Sequence, residues 1–160
     1  MSAPHTDLAA LCRHLEDLGE QRPTPEARAE LETGLGSKWD GVVVTSARSL
    51  SKWGDVQSVT AIRKSLVEKS QLQHRWATAG ALAEALAPHL SAADLKWVVP
   101  LVVRDSNRHY RWALFRLLAF TPKGQTLREL KSFEGVAGVD PKDLRHVATF
   151  VEMQSRNDAA

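Results

Sequence analysis

At three successive expected helix starts a basic residue stands directly before a tryptophan: Lys38-Trp39, Arg75-Trp76 and Arg111-Trp112. Arg108 and Arg116 flank the third pair, and His74 and His109 lie near the second and third. A cation beside an indole is the chemistry of recognition: the cation attracts anions, the ring stacks or fills a pocket. It is not the chemistry of bond breaking. No second His, Cys or carboxylate stands from these histidines at a metal-binding spacing such as HExxH or CxxC. Cys12 and His14 are two apart on a helix and point away from each other. Gly34-Leu35-Gly36-Ser37-Lys38 superficially resembles a phosphate loop, but lacks the preceding strand and the full spacing. The sequence therefore leads us to expect no catalytic residue, no metal ligand and no cofactor.

Each of Trp39, Trp76 and Trp112 also begins an apolar stripe, which predicts a structural role. Burying one indole removes about 150–250 Å² from water, worth roughly 4–6 kcal/mol gross at about 25 cal/mol per Å². On that reading the three indoles belong to the core, and Trp53 and Trp97 are structural as well. The cations are then the surface candidates. Lys38, Arg75, Arg108, Arg111 and Arg116 sit at or near helix starts, where the helix dipole disfavours positive charge. Repeating that arrangement implies either pairing with Glu32, Glu68 and Asp105, the expected reading, or recruitment of an anion.

The elements that must position these residues are all helical. Thr6 is a candidate cap for a first helix with Leu8, Leu11, Cys12, Leu15 and Leu18 at helical spacing, ended by Gly19. Thr24 and Pro25 open a second, to about Leu35, with Ala27, Leu31 and Leu35 on one side and Gly34 and Gly36 as breakers. Ser37 and Asp40 suggest a capping box for a helix from Ser37 to Lys52 carrying Trp39, Val42, Val43, Ser46 and Leu50. Gly54 suits a left-handed helix end, and Asp55 can cap the next helix, with Val59, Ile62 and Leu66 inward and Arg63, Lys64 and Lys69 outside the stripe. Further helices are expected over His74–Ala87, with Leu82 and Leu86 inward, and after Ser91 and Asp94, where Pro100 should kink or shorten the helix. Others follow over Arg108–Phe120 with Trp112, Phe115 and Leu118 inward, over Gln125–Phe133, and after Asp140-Pro141. No segment alternates with period two, so no strand is expected.

With 160 residues, 43% of them hydrophobic and 25% charged, the chain has the composition of one ordinary globular domain. Its longest apolar runs fall short of the roughly 20 residues a membrane helix needs. The first twenty residues do not resemble a secretory signal, and a single cysteine fits a reducing cytoplasm. Net charge is only +2, yet residues 1–35 hold three Arg against seven acids, and residues 96–131 hold eight Lys/Arg against two. Such asymmetry steers an anionic partner to one end, or is simply an uneven solvated surface.

A shift of 36 residues lays Val59 on Leu95, Ile62 on Val98, Leu66 on Val102, Arg75 on Arg111 and Trp76 on Trp112. Helix pairs at a fixed period signal an α-solenoid, whose units bury their apolar faces only by stacking. Val42-Val43, Ser46-Ala47, Leu50, Gly54-Asp55, Val59, Ile62 and Leu66 resemble the HEAT repeat in its bacterial short form. Asp105 and Arg111 resemble its inter-repeat ladder. The likeness spans about Pro25 to Phe133. It departs where Val43 replaces the ladder Arg and Lys69 the aspartate before Arg75.

The resemblance implies a right-handed, all-α solenoid of about three helix pairs in a single domain, 1–160. A capping helix occupies 1–22, repeats 23–133, a final helix 134–154 and a disordered tail 155–160. It implies structural repeat positions at Trp39, Leu50, Gly54, Asp55, Trp76, Leu86 and Trp112, and second helices lining a concave wall. The function expected is a non-enzymatic cytoplasmic scaffold presenting Lys38, Arg75, Arg108, Arg111 and Arg116 to another protein, with no membrane partner. The alternative is nucleic-acid binding through the same cations. Some HEAT-like proteins excise alkylated bases with Trp and Asp in the groove; this chain is short for surrounding a duplex, and that activity is not expected of it.

Overall fold

The computed structural model describes residues 4–68, 75–104 and 107–154, which form helices and turns with no strand. His74, Lys69, Asp105 and the tail 155–160, all named above, lie outside the described residues. The chain groups into two compact units, Met1–Ser70 and Gln71–Ala160.

In the first unit α1 (Pro4–Glu20), α2 (Pro25–Leu35) and α4 (Val56–Glu68) all pack on α3 (Asp40–Trp53). Small residues set how closely they approach. A Cβ on Gly19 would lie 2.6 Å from that of Ser49, and one on Gly34 would lie 2.0 Å from Ser46 Oγ. Both glycines are contact points, and each stands one residue before the end of its helix, with Gly36 as the C-cap of α2, where the sequence places the breaks. Ser49 Oγ donates to Leu15 O at 2.8 Å, tying α3 to α1. Leu15, Leu31, Leu50, Ile62 and Leu66 fill the core.

Local signals hold at several joints. Thr24 Oγ1 accepts from Ala27 N at 3.1 Å with Pro25 in the first turn. Gly54 takes φ 64° and Asp55 Oδ1 accepts from Ser58 N at 2.8 Å. Two expectations are corrected. Helix α1 begins at Pro4, so position 6 lies within it and not ahead of its first turn. Ser37 Oγ accepts from Trp39 N at 3.1 Å and α3 starts only at Asp40, so the capping box does not form. A hydrogen bond two residues on makes a tight turn before the helix instead.

The second unit contains α5 (Trp76–Leu86), α6 (Leu95–Arg104), α7 (Arg108–Leu114), α8 (Lys123–Lys131) and α9 (Pro141–Met153). Helix α7 packs on α5 and α6, and α8 packs on α6 and α9. Ser91 and Asp94 form the expected capping box, opening a 3₁₀ turn that leads into α6. That helix runs on through Pro100 to Arg104 and is not cut short there. Asp140 Oδ1 accepts from Lys142 N at 2.8 Å with Pro141 in the first turn of α9, as expected. Helix α7 is shorter than expected and tightens into a 3₁₀ turn, Phe115–Leu118.

Candidate functional site

The principal correction concerns the tryptophans. Trp39, Trp76 and Trp112 are 46%, 47% and 40% exposed, so they are not core residues. Trp39 precedes the first turn of α3, ahead of the buried stripe Val42, Val43, Ser46, Ala47 and Leu50. Trp76 is the first residue of α5, in line with Gly80 and Ala83 but at the open end of the helix. In α7 two stripes compete. The buried one is Tyr110, Ala113, Leu114, Leu117 and Leu118. At about 100° per residue this puts Trp112 on the opposite side from Tyr110. Trp53 and Trp97 are half-buried and held through their indole N–H, to Gln21 O and Asp94 Oδ1 respectively, each at 2.9 Å.

On the second unit the exposed rings meet. Trp76 and the His109 imidazole stack with centroids 4.2 Å apart and 18° between planes. The same imidazole meets Trp112 edge-on at 5.6 Å and 81°. The Arg108 guanidinium lies over the Trp112 ring, 5.0 Å from its centroid. Arg116 donates through Nη1 to Ala113 O at 3.3 Å and lies across α5 at Gly80, where a Cβ would come within 2.7 Å of that nitrogen. Arg108, Trp112 and Arg116 are spaced i, i+4, i+8, so cation, ring and cation share one face over about 12–14 Å. Trp76 and Gly80, also four apart, face them from α5.

Arg108 and Arg111 are brought together by a residue that no motif in the sequence marks. Asp143, in the first turn of α9, accepts from Arg108 Nη2 at 3.0 Å and from Arg111 Nη2 at 2.8 Å. Its side chain is 6% exposed, that of Arg111 is 11%, and that of Arg108 is 50%. Arg111 also donates to Val103 O at 3.0 Å. It is therefore an anchor between α7 and α9, not part of the accessible surface expected of it. Spacing gave no sign of this pair, because the partners are 32 residues apart on different elements. Leu86 is fully buried, and Arg75, just before α5, is half-buried.

In the first unit Lys38 lies over Trp39 at 5.2 Å, on an exposed ring. Leu50 is fully buried, and Asp55 does more than cap. It accepts from Arg28 Nη2 at 2.6 Å and Nη1 at 3.2 Å, while the same Nη1 donates to Ser58 Oγ at 2.8 Å. The Arg28 guanidinium, followed by the Ser58 hydrogen bonds, holds the Asp55 carboxyl down at about 2. Arg28 lies over Trp53 at 5.2 Å and was another residue the sequence did not single out.

Among the described residues no three His, Cys, Asp or Glu side chains gather as a metal site would require. Nor is any described helix long and apolar enough to cross a membrane. Comparison with protein-family models, with curated proteins and with solved structures finds no match to this chain.

Proposed function

We propose that this chain is a non-enzymatic cytoplasmic binding module, built of HEAT-like units in a right-handed solenoid, that holds nucleic acid on the strip Arg108–Trp112–Arg116. The 36-residue repeat supports the architecture. The observation that carries the activity is the interleaving of exposed cations with an exposed indole along α7 and the 3₁₀ turn that continues it. Cations along a strip contact phosphates, and rings between them contact bases.

With two phosphate-contacting arginines the affinity for a single strand should fall about 7-fold between 50 and 200 mM salt, and somewhat more for duplex. Fluorescence anisotropy of labelled single-stranded and duplex oligonucleotides at the two salt concentrations tests this. Absence of binding at the lower salt would refute the nucleic-acid reading.

A second reading, a scaffold for another protein, is favoured by Asp143. It already neutralises part of the charge of Arg108 and Arg111, and it leaves Trp76 and Trp112 as hot-spot residues that need no anion. On that reading capture of a protein partner survives high salt and is lost with the indoles.

A further inference from the structure

We infer that the nucleic acid taken by this strip is single-stranded and that its unpaired bases stack on Trp76 and Trp112; this rests on the nucleic-acid reading above. The two polymers offer a binding surface different groups. A duplex presents phosphates outward and keeps the faces of its bases inside the stack, while a single strand presents both. A surface made for duplex backbone alone needs cations and has no use for large exposed rings. This strip has two indoles, 47% and 40% exposed, set beside its arginines.

The rings are held as plates. His109 lies 4.2 Å from Trp76 and nearly parallel to it, so Trp76 already forms one layer of a stack. His109 also abuts Trp112 edge-on, which fixes the two indoles about a common spacer. Arg108 rests over Trp112 and is held from below by the buried Asp143 carboxylate, so the row is braced before any ligand arrives. Bracing of this kind reduces the ordering cost of binding. A flat base meets rings already in place, and the neighbouring phosphates fall toward Arg108 and Arg116. Spacing of one helical turn between cation, ring and cation limits the contact to a few nucleotides.

The test uses the full chain and three labelled probes of about 15 nucleotides, longer than the few the strip contacts: a thymidine strand, the same strand paired with its complement, and an abasic strand carrying the same phosphates. The inference expects the thymidine strand to bind more tightly than both the duplex and the abasic strand. Trp76→Ala and Trp112→Ala should each weaken its binding about 5- to 150-fold, the range for loss of one stacked base. Trp76→Phe should recover part of the loss, because a flat ring is restored. The abasic probe should hardly respond to these ring substitutions while remaining salt-sensitive. Equal affinity for the thymidine and abasic strands overturns the stacking inference and leaves the phosphate-based reading standing. Tighter binding to duplex overturns it as well. Failure of all three probes to bind at 50 mM salt removes the underlying reading and this inference with it. Since both indoles lie at the surface, far-UV circular dichroism of the alanine variants should match the parent. A lost helical signal would assign these residues to the core and overturn the inference too.

Discussion

Asp143 gives the most exacting test of how the second unit is held. Its carboxylate is almost wholly enclosed and accepts from two guanidinium groups. The groups differ in what they would do without it. Arg108 is half exposed and would be re-solvated at little cost. Arg111 is nearly enclosed and would keep one hydrogen bond, to Val103 O. Removing one partner of a buried pair costs about 3–5 kcal/mol, because the surviving charge is stranded. Asp143→Ala should therefore destabilise the protein by about 3 kcal/mol, nearly all of it through Arg111. Asp143→Asn keeps one acceptor and should cost roughly half as much.

The assay is urea unfolding followed by far-UV circular dichroism, with the slope of free energy against urea compared between variants to confirm that the same surface is exposed. A double-mutant cycle between Asp143→Ala and Arg111→Ala should return a coupling above about 1.5 kcal/mol, and the cycle with Arg108→Ala one below about 1 kcal/mol. Asp143→Ala costing less than about 1 kcal/mol, or a larger coupling to Arg108 than to Arg111, would refute the division of roles. The same variant also bears on binding. Deleting a negative charge beside Arg108 should raise the affinity for an oligonucleotide at low salt, provided that Arg108 keeps its place over Trp112.

Gly80→Ala should leave stability unchanged or raise it by up to about 1 kcal/mol through helix propensity. It should also displace the Arg116 guanidinium and weaken salt-dependent oligonucleotide binding; a variant that binds like the parent would show that the position of Arg116 is not used. Gly34→Ala should cost about 1–3 kcal/mol by overpacking against Ser46, and Ser46→Ala in that background should recover most of it, since the hydroxyl is the nearest atom and Cβ stands back at 3.1 Å. The depressed Asp55 carboxyl contributes stability that is present above pH 4 and lost as pH falls toward 2. After discounting for a side chain 41% exposed this amounts to about 1 kcal/mol. Asp55→Asn should flatten that part of the stability–pH curve measured by urea unfolding, and an unchanged curve would count against the Arg28 pair.

How much of this was legible in the sequence depends on the range over which each feature is decided. Features settled within four or five residues were readable: the Thr24-Pro25 start, the Gly54-Asp55 corner, the Ser91/Asp94 box and the Asp140-Pro141 restart all stand as read. The Ser37/Asp40 box failed because the serine had a nearer donor, Trp39 N. The indoles failed for a different reason. Hydrophobicity says that a tryptophan gains by burial, but helix phase decides which face is buried, and in α7 the stripe through Tyr110 and Leu114 outweighs the one through Trp112. Nothing local could reveal Asp143 as the partner of Arg111, or Asp55 as the partner of Arg28, because those pairings are made by tertiary packing.

The two units put the same parts to different ends, and accessibility separates them. In each, an aspartate at a helix start receives a guanidinium from another helix, and a guanidinium lies over an indole. In the first unit one arginine does both, and Arg28 is 13% exposed beneath a half-buried Trp53. Both its terminal nitrogens are engaged by Asp55 and Ser58, so the cluster ties α2 to the start of α4. In the second unit the labour is divided. Arg111 takes the enclosed position and anchors α7 to α9, which leaves Arg108 half exposed with its guanidinium over an exposed Trp112. A cation and ring that stay at the surface while a second arginine carries the structural pairing are placed for a ligand. This is why the binding strip is assigned to α7, and why Arg111→Ala should be read first by stability and Arg108→Ala first by affinity.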